Sequence, residues 1–224
     1  MNGLSHVRSY LQRHWLTLVT HTAVLVSLGW LGWQYAYNQL GVNPIQELTF
    51  RTGKSALILL VLSLTCTPLN TLFGIKRVLV LRRPLGLYAF LYASLHFLIF
   101  VGLDYGFDAT LIGQEIAEKR YILVGLAAFV LLVPLAVTST RGWMRRLGKN
   151  WKRLHRIVYV AVLLAVLHYL WVVKSDIREP LLYGGVIGVL LVLRLPLVRR
   201  VVQSWHGYRV ADKELSVQPP TADQ

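Results

Sequence analysis

With 224 residues, 55% of them hydrophobic and only 15% charged, the chain has a mean hydropathy of +0.51. That composition excludes an ordinary soluble core and describes a polytopic membrane protein. The formal charge of +14 is not read as nucleic-acid binding, because the basic residues lie between apolar runs, where cytoplasmic membrane loops carry them. The lone Cys66 excludes an intrachain disulfide and a cysteine-only metal site, and reads as a small packing residue.

The pattern predicts an all-α membrane protein with six spans of about the 20 residues that a bilayer needs. They are expected near 15–37, 54–73, 84–103, 121–137, 154–173 and 181–198. The first is read as a retained span, since its apolar region is long and no small-x-small cleavage pattern follows clearly. Residues 1–14 then form an N-terminal segment, 15–200 one six-helix domain, and 201–224 a flexible polar tail too short to fold alone. Pro84 and Pro180 fit first turns of helices, while Pro68, Pro134 and Pro196 fall late in their spans and are placed to kink them.

Loop charge sets the orientation. Arg8 and Arg13, then Lys76, Arg77, Arg82 and Arg83, then the run from Arg141 to Arg153, and finally Arg199, Arg200 and Arg209 all fall on one side of a six-span bundle. The opposite loops hold Glu47, Asp104, Asp108, Glu115, Glu118, Asp176 and Glu179. The positive-inside rule therefore places both termini in the cytoplasm. Trp15, Trp143, Trp151 and Trp205 fall at the inner interface, and Trp30, Trp33 and Trp171 toward the outer one, as an aromatic belt does.

The fifth span carries His155 near its cytoplasmic start and His168 in its outer half, roughly 20 Å apart in depth at 1.5 Å per residue. The third span runs the same way and puts His96 at the level of His168. Two neutral imidazoles on either side of a porphyrin make a six-coordinate b-type haem site, suited to electron transfer. The competing reading is a pair of hydrogen-bonded interhelical histidines. Zinc and di-iron sites are disfavoured because they add carboxylates or a further ligand, and no Asp or Glu falls inside an expected span.

His155 is a candidate for an inner cofactor whose second ligand is not evident. His21, in the inner half of the first span, is the other intramembrane histidine at a comparable level. A 13-residue spacing falls about 140° short of whole turns, so His155 and His168 do not share a stripe. Arg82, Arg83 and Arg153 read either as topology and lipid contacts or as partners of a propionate or flavin phosphate. His6, His14 and His206 carry no site signal.

Several stretches carry a resemblance. They are Thr52-Gly53-Lys54-Ser55-Ala56-Leu57 with Thr67-Pro68-Leu69, then Arg82-Arg83-Pro84-Leu85-Gly86-Leu87, and Tyr92-Ala93-Ser94-Leu95-His96. Further along are Thr138-Ser139-Thr140, Leu147-Gly148-Lys149-Asn150-Trp151, Leu154-His155 and His168-Tyr169-Leu170-Trp171. Together they resemble the ferric-reductase-like transmembrane family, and within it the haem-binding subunits of bacterial methionine-sulfoxide reductase systems, over most of residues 15–200. The resemblance implies an inner-membrane electron carrier with one or two haem b groups and an associated FMN. Electrons would come from the quinol pool or a cytosolic flavin reductase and pass to a periplasmic molybdenum enzyme that repairs oxidised envelope proteins. It implies haem-associated roles for the iron ligand candidates His96, His155 and His168, and the absence of an inner histidine on the third span agrees with it. The sulfoxide-reducing site would lie on the partner, since this chain has no molybdenum-binding or nicotinamide domain. Alternatives are a b-type cytochrome serving another periplasmic or metal reductase, and a non-redox transporter or scaffold. Against the last, no inverted repeat or interrupted helix pair is visible.

Overall fold

The structure is a computed structural model; it describes residues 3–173 and 176–195, with side chains from Trp15 onward. The expected tail at 201–224, Pro196 and Trp205 lie outside the described residues, as do the side chains of the segment 1–14. The described residues are helical throughout, joined by short turns. In order come α1 (Gly3–Ala36), α2 (Pro44–Phe73), α3 (Arg82–Leu98), α4 (Ala109–Glu118), α5 (Arg120–Val137), α6 (Arg141–Leu147), α7 (Lys149–Leu154), α8 (Val158–Val172) and α9 (Arg178–Val192).

Five helical segments are long and apolar enough to cross a membrane: Trp15–Ala36, Pro44–Phe73, Lys76–Asp104, Arg120–Val137 and Lys149–Val172. The sixth expected span corresponds to α9, which covers 15 residues; residues 196–198 of that run lie outside the described part. The second span begins well before its expected start near Lys54. The Asn43 side chain accepts from the Gln46 N–H at 3.1 Å, and Pro44 occupies the first helical turn, a pairing of cap and proline that starts a helix. Its other end closes at Gly74, whose φ of 68° is the left-handed conformation that glycine adopts freely.

Two further departures matter. The loop expected at 104–120 contains α4, capped by Asp108, whose carboxylate accepts from the N–H groups of Thr110 and Leu111 at 2.8 and 3.1 Å. The fifth span is not one uniform helix either: α7 tightens into a 3-10 turn at His155–Ile157 before α8 continues.

The core is two helical hairpins placed side by side. α2 packs along α3, α5 packs along α8, and α3 meets α5 across the seam. α1 lies against α3, and α9 lies against α8 and α2. Small and branched residues close the joints: Ala89 of α3, Ala161 and Val162 of α8 and Ile187 of α9 are fully buried, which lets helices approach where lipid gives no hydrophobic drive. Large apolar side chains cover the outside instead, including Val26, Leu62, Val130, Leu163 and Val189. A surface of that kind belongs against lipid. Trp15, Trp30, Trp33, Trp143 and Trp171 are exposed on it, whereas Trp151 turns inward.

Tyr92 is 1% exposed, and its hydroxyl lies 3.3 Å from the Val24 carbonyl and 3.2 Å from Ser27 Oγ, tying α3 to α1. Tyr92→Phe is expected to lower stability by only about 0.6 kcal/mol, the usual worth of an interhelical membrane hydrogen bond. Tyr92→Ala should cost about 3 kcal/mol by opening the seam. Unfolding midpoints of the two variants in mixed detergent check this ordering.

Candidate functional site: a histidine pair between two hairpins

Each hairpin presents one histidine to the seam. His96 stands near the end of α3 and His168 near the end of α8, and their ring centroids are 6.2 Å apart with planes crossing at 81°. Both are held in the same way. His96 Nδ1 lies 2.8 Å from the Thr49 carbonyl of α2. His168 Nδ1 lies 2.8 Å from the Tyr121 carbonyl of α5. A carbonyl can only accept, so each ring carries its proton on Nδ1 and leaves the Nε2 lone pair free. The carbonyls can serve because each has a second lone pair beyond its helical bond.

One helical turn beyond each acceptor is a glycine. A Cβ at Gly53 would stand 2.9 Å from His96 Nδ1, and one at Gly125 would stand 2.7 Å from His168 Nδ1. Only a bare Cα lets the imidazole lie against the neighbouring helix and reach its backbone. In both hairpins the histidine follows its acceptor by 47 residues. The halves are therefore a parallel structural repeat, carbonyl, glycine and histidine in one register.

Two imidazole nitrogens that bind one metal from opposite sides at about 2 Å each set their ring centroids about 6 Å apart, and the observed separation fits. No cluster of three or more His, Cys, Asp or Glu exists among the described residues, so a metal held here must bring further ligands with it, as iron in a porphyrin does. The surroundings are apolar and flat-walled. Phe129 of α5 stacks on Phe90 and Phe97 of α3, with centroids 5.8 and 5.0 Å apart. The residues present thus fit a bis-histidine haem, which His96 and His168 would hold.

Beside this pair, on the side away from α3, a polar chain runs along α2, α8 and α9. Lys54, next to Gly53, forms an ion pair with Glu179, and Tyr169, next to His168, donates to the same carboxylate at 2.8 Å.

The other candidates lie elsewhere. His155 sits at the arginine-rich end of the bundle, stacked on Trp151 at 4.0 Å. Its Nε2 is 3.2 Å from Thr138 Oγ1. The Thr138 hydroxyl proton is already given to the Pro134 carbonyl at 2.6 Å, so His155 donates from Nε2 and Nδ1 is its open nitrogen, the reverse of the His96–His168 pair. Trp151 Nε1 donates to the Thr138 carbonyl at 3.0 Å, which fixes the stack. His21 is not brought to His155; it pairs with Tyr88 of α3 at 2.5 Å. Arg83 is exposed, and Arg82 is partly buried near His155.

Sequence reasoning missed the roles of Gly53 and Gly125, the acceptors at Thr49 and Tyr121, and Arg194. The last had a visible signal, an arginine inside an apolar run. Pro68 has no N–H, so the Leu64 carbonyl one turn before it loses its helical donor, and Arg194 Nη2 donates to that carbonyl.

The family described as "ferric reductase like transmembrane component" matches residues 52–166. A protein of Xanthomonas campestris pv. campestris (strain 8004), named "protein-methionine-sulfoxide reductase heme-binding subunit MsrQ", is 50% identical over 76% of this chain and 81% of its own length. Proteins of the same name in Xanthomonas axonopodis pv. citri and Rhodospirillum rubrum are 51% and 49% identical, covering 78% and 82% of this chain and 83% and 89% of their own lengths. No solved structure matches.

Gly53→Ala and Gly125→Ala are each expected to push the facing imidazole off its carbonyl, with the larger effect at Gly125, where the approach is closer. Both variants should keep their helical circular dichroism and lose most of the haem absorbance of the purified chain. Equal haem content in Gly125→Ala and wild type would remove the glycine from the site.

Proposed function

Since the chain belongs to the ferric-reductase-like transmembrane family, we propose that it is the haem b-containing electron-transfer subunit of a methionine-sulfoxide reductase system in a bacterial inner membrane. The observation that carries the reading is the pair His96 and His168, at the spacing of two axial ligands and with both Nδ1 atoms engaged. A hydrogen bond at the far nitrogen fixes the ring orientation and raises the basicity of the ligating one. Haem held there by His96 and His168 would supply a one-electron carrier.

In this reading the bundle crosses six times, α9 being the sixth span, and both termini are cytoplasmic. The arginine-rich end is then inner and the histidine pair lies in the outer half. Electrons arrive from the quinol pool or a cytosolic flavin reductase. They leave on the outer side for a periplasmic molybdenum reductase of the MsrP type, which restores oxidised methionines in envelope proteins. The relatives' printed name supports the partnership, and the outward position of the pair suits delivery to a periplasmic acceptor. His155 is the candidate for a second haem or for FMN, with Arg82 and Arg83 near the same end. The Nε2 contact of His155 with Thr138 must break before that nitrogen can bind a metal, so an inner haem here is the weaker of the two sites.

The test is a reduced-minus-oxidised visible spectrum with pyridine haemochrome quantitation on the purified chain. His96→Ala and His168→Ala should each abolish the b-type bands of the outer site, and His155→Ala should leave them. Haem content falling by half in His155→Ala would add the inner group. Full haem content in both His96→Ala and His168→Ala would overturn the assignment and move a non-redox role forward.

A further inference from the structure

We infer that the arginine-rich end of the bundle contains a binding site for one phosphate-bearing anion, built from Arg82 of α3 and Arg194 just after α9. The inference does not depend on where haem binds. Arg194 Nη1 donates to the Tyr159 hydroxyl at 2.7 Å, its guanidinium lies 5.2 Å over the Tyr159 ring, and Nη2 serves the Leu64 carbonyl. Its Nε is buried with no partner. Arg82 is set beside it by the same turn of α2: Ser63, the neighbour of Leu64, donates to the Arg82 carbonyl at 2.7 Å. The Arg82 guanidinium makes no hydrogen bond or ion pair among the described residues.

The two guanidinium charges act on each other and share Tyr159 as a neighbour; in a segment read as membrane-embedded they repel unless an anion joins them. Among the described residues no acid lies nearby. The ion pairs among the described residues use Glu47, Glu179 and Glu115, and every acidic residue before the last helix ends lies in a segment at the opposite end of the bundle. The only others are Asp212, Glu214 and Asp223 of the tail. Phosphate chemistry matches the pair best. Planar guanidinium forks bind phosphate oxygens bidentately, and one phosphate offers enough acceptors for both. Further along the same helix, Thr67 Oγ1 is buried without a partner, so a hydroxyl donor beyond the arginines is present. The phosphate can come from the headgroup of an acidic membrane lipid or from a soluble phosphate compound on the cytoplasmic side.

The experiment is thermal unfolding of the purified full chain in phosphatidylcholine nanodiscs, repeated with phosphatidylglycerol in the disc and, separately, with inorganic phosphate in the buffer. A wild-type midpoint raised by phosphatidylglycerol alone identifies a lipid headgroup; one raised by inorganic phosphate identifies a soluble source. In either case Arg82→Gln and Arg194→Gln should lose the shift, and the loop variant Arg145→Gln/Arg146→Gln should keep it. Arg194→Lys, which retains a donor for the Leu64 carbonyl, guards against simple misfolding and should need about tenfold more anion for the same shift. An equal shift in wild type and both glutamine variants would overturn the site. So would no shift from either source together with a lower midpoint in Asp212→Asn/Glu214→Gln, which would give the arginines to the tail.

Discussion

The structure depends on the bond between an imidazole Nδ1 and the backbone of the neighbouring helix. A histidine within a bilayer cannot leave its ring N–H unsatisfied, and helical carbonyls are already engaged along the helix. The Thr49 and Tyr121 carbonyls accept a second bond because the glycine one turn on clears the approach. That one contact fixes the tautomer, leaves Nε2 of each ring free and sets how closely α2 approaches α3 and α5 approaches α8. Ordinary side chains at Gly53 and Gly125 would push apart the two helices of each hairpin and release its ring.

Much of this was legible before any coordinates. Apolar run lengths gave the helices, and the depth argument put His96 and His168 at one level because their spans run in the same direction. The 6.2 Å between their rings accords with that argument. The repeat was not legible. Its two halves share a carbonyl, a glycine and a histidine in register, and a carbonyl has no sequence signature. A search for inverted symmetry would also miss it, because α2 and α5 run the same way. The start of α2 was misread because apolar content was weighted over the Asn43–Pro44 cap. The turn at His155 was hidden in an unbroken apolar run, since a 3-10 step changes geometry without changing composition.

The same repeat explains why the two ends of the bundle differ. Arg83 precedes His96 by the interval at which His155 precedes His168, so the arginine-rich end has a histidine in one hairpin and an arginine in the other. His155 has settled into a local arrangement with Thr138 and Trp151, and its free nitrogen is the opposite one from that of the outer histidines. The symmetry holds at the His96–His168 level and is lost at the arginine-rich end.

Pro68 then links the helical framework to the charge at that end. A proline inside a membrane helix strands a carbonyl, and the donor that rescues Leu64 here is a guanidinium, not a hydroxyl. A serine or threonine could satisfy the carbonyl without adding charge. Using Arg194 leaves a cation within reach of Arg82, with a spare donor and no acid beside it among the described residues. The choice makes sense if the charge itself is used. The proline defect is what fixes the position of the cation, and the cation is what distinguishes the arginine-rich end of this bundle from the end that holds the histidine pair.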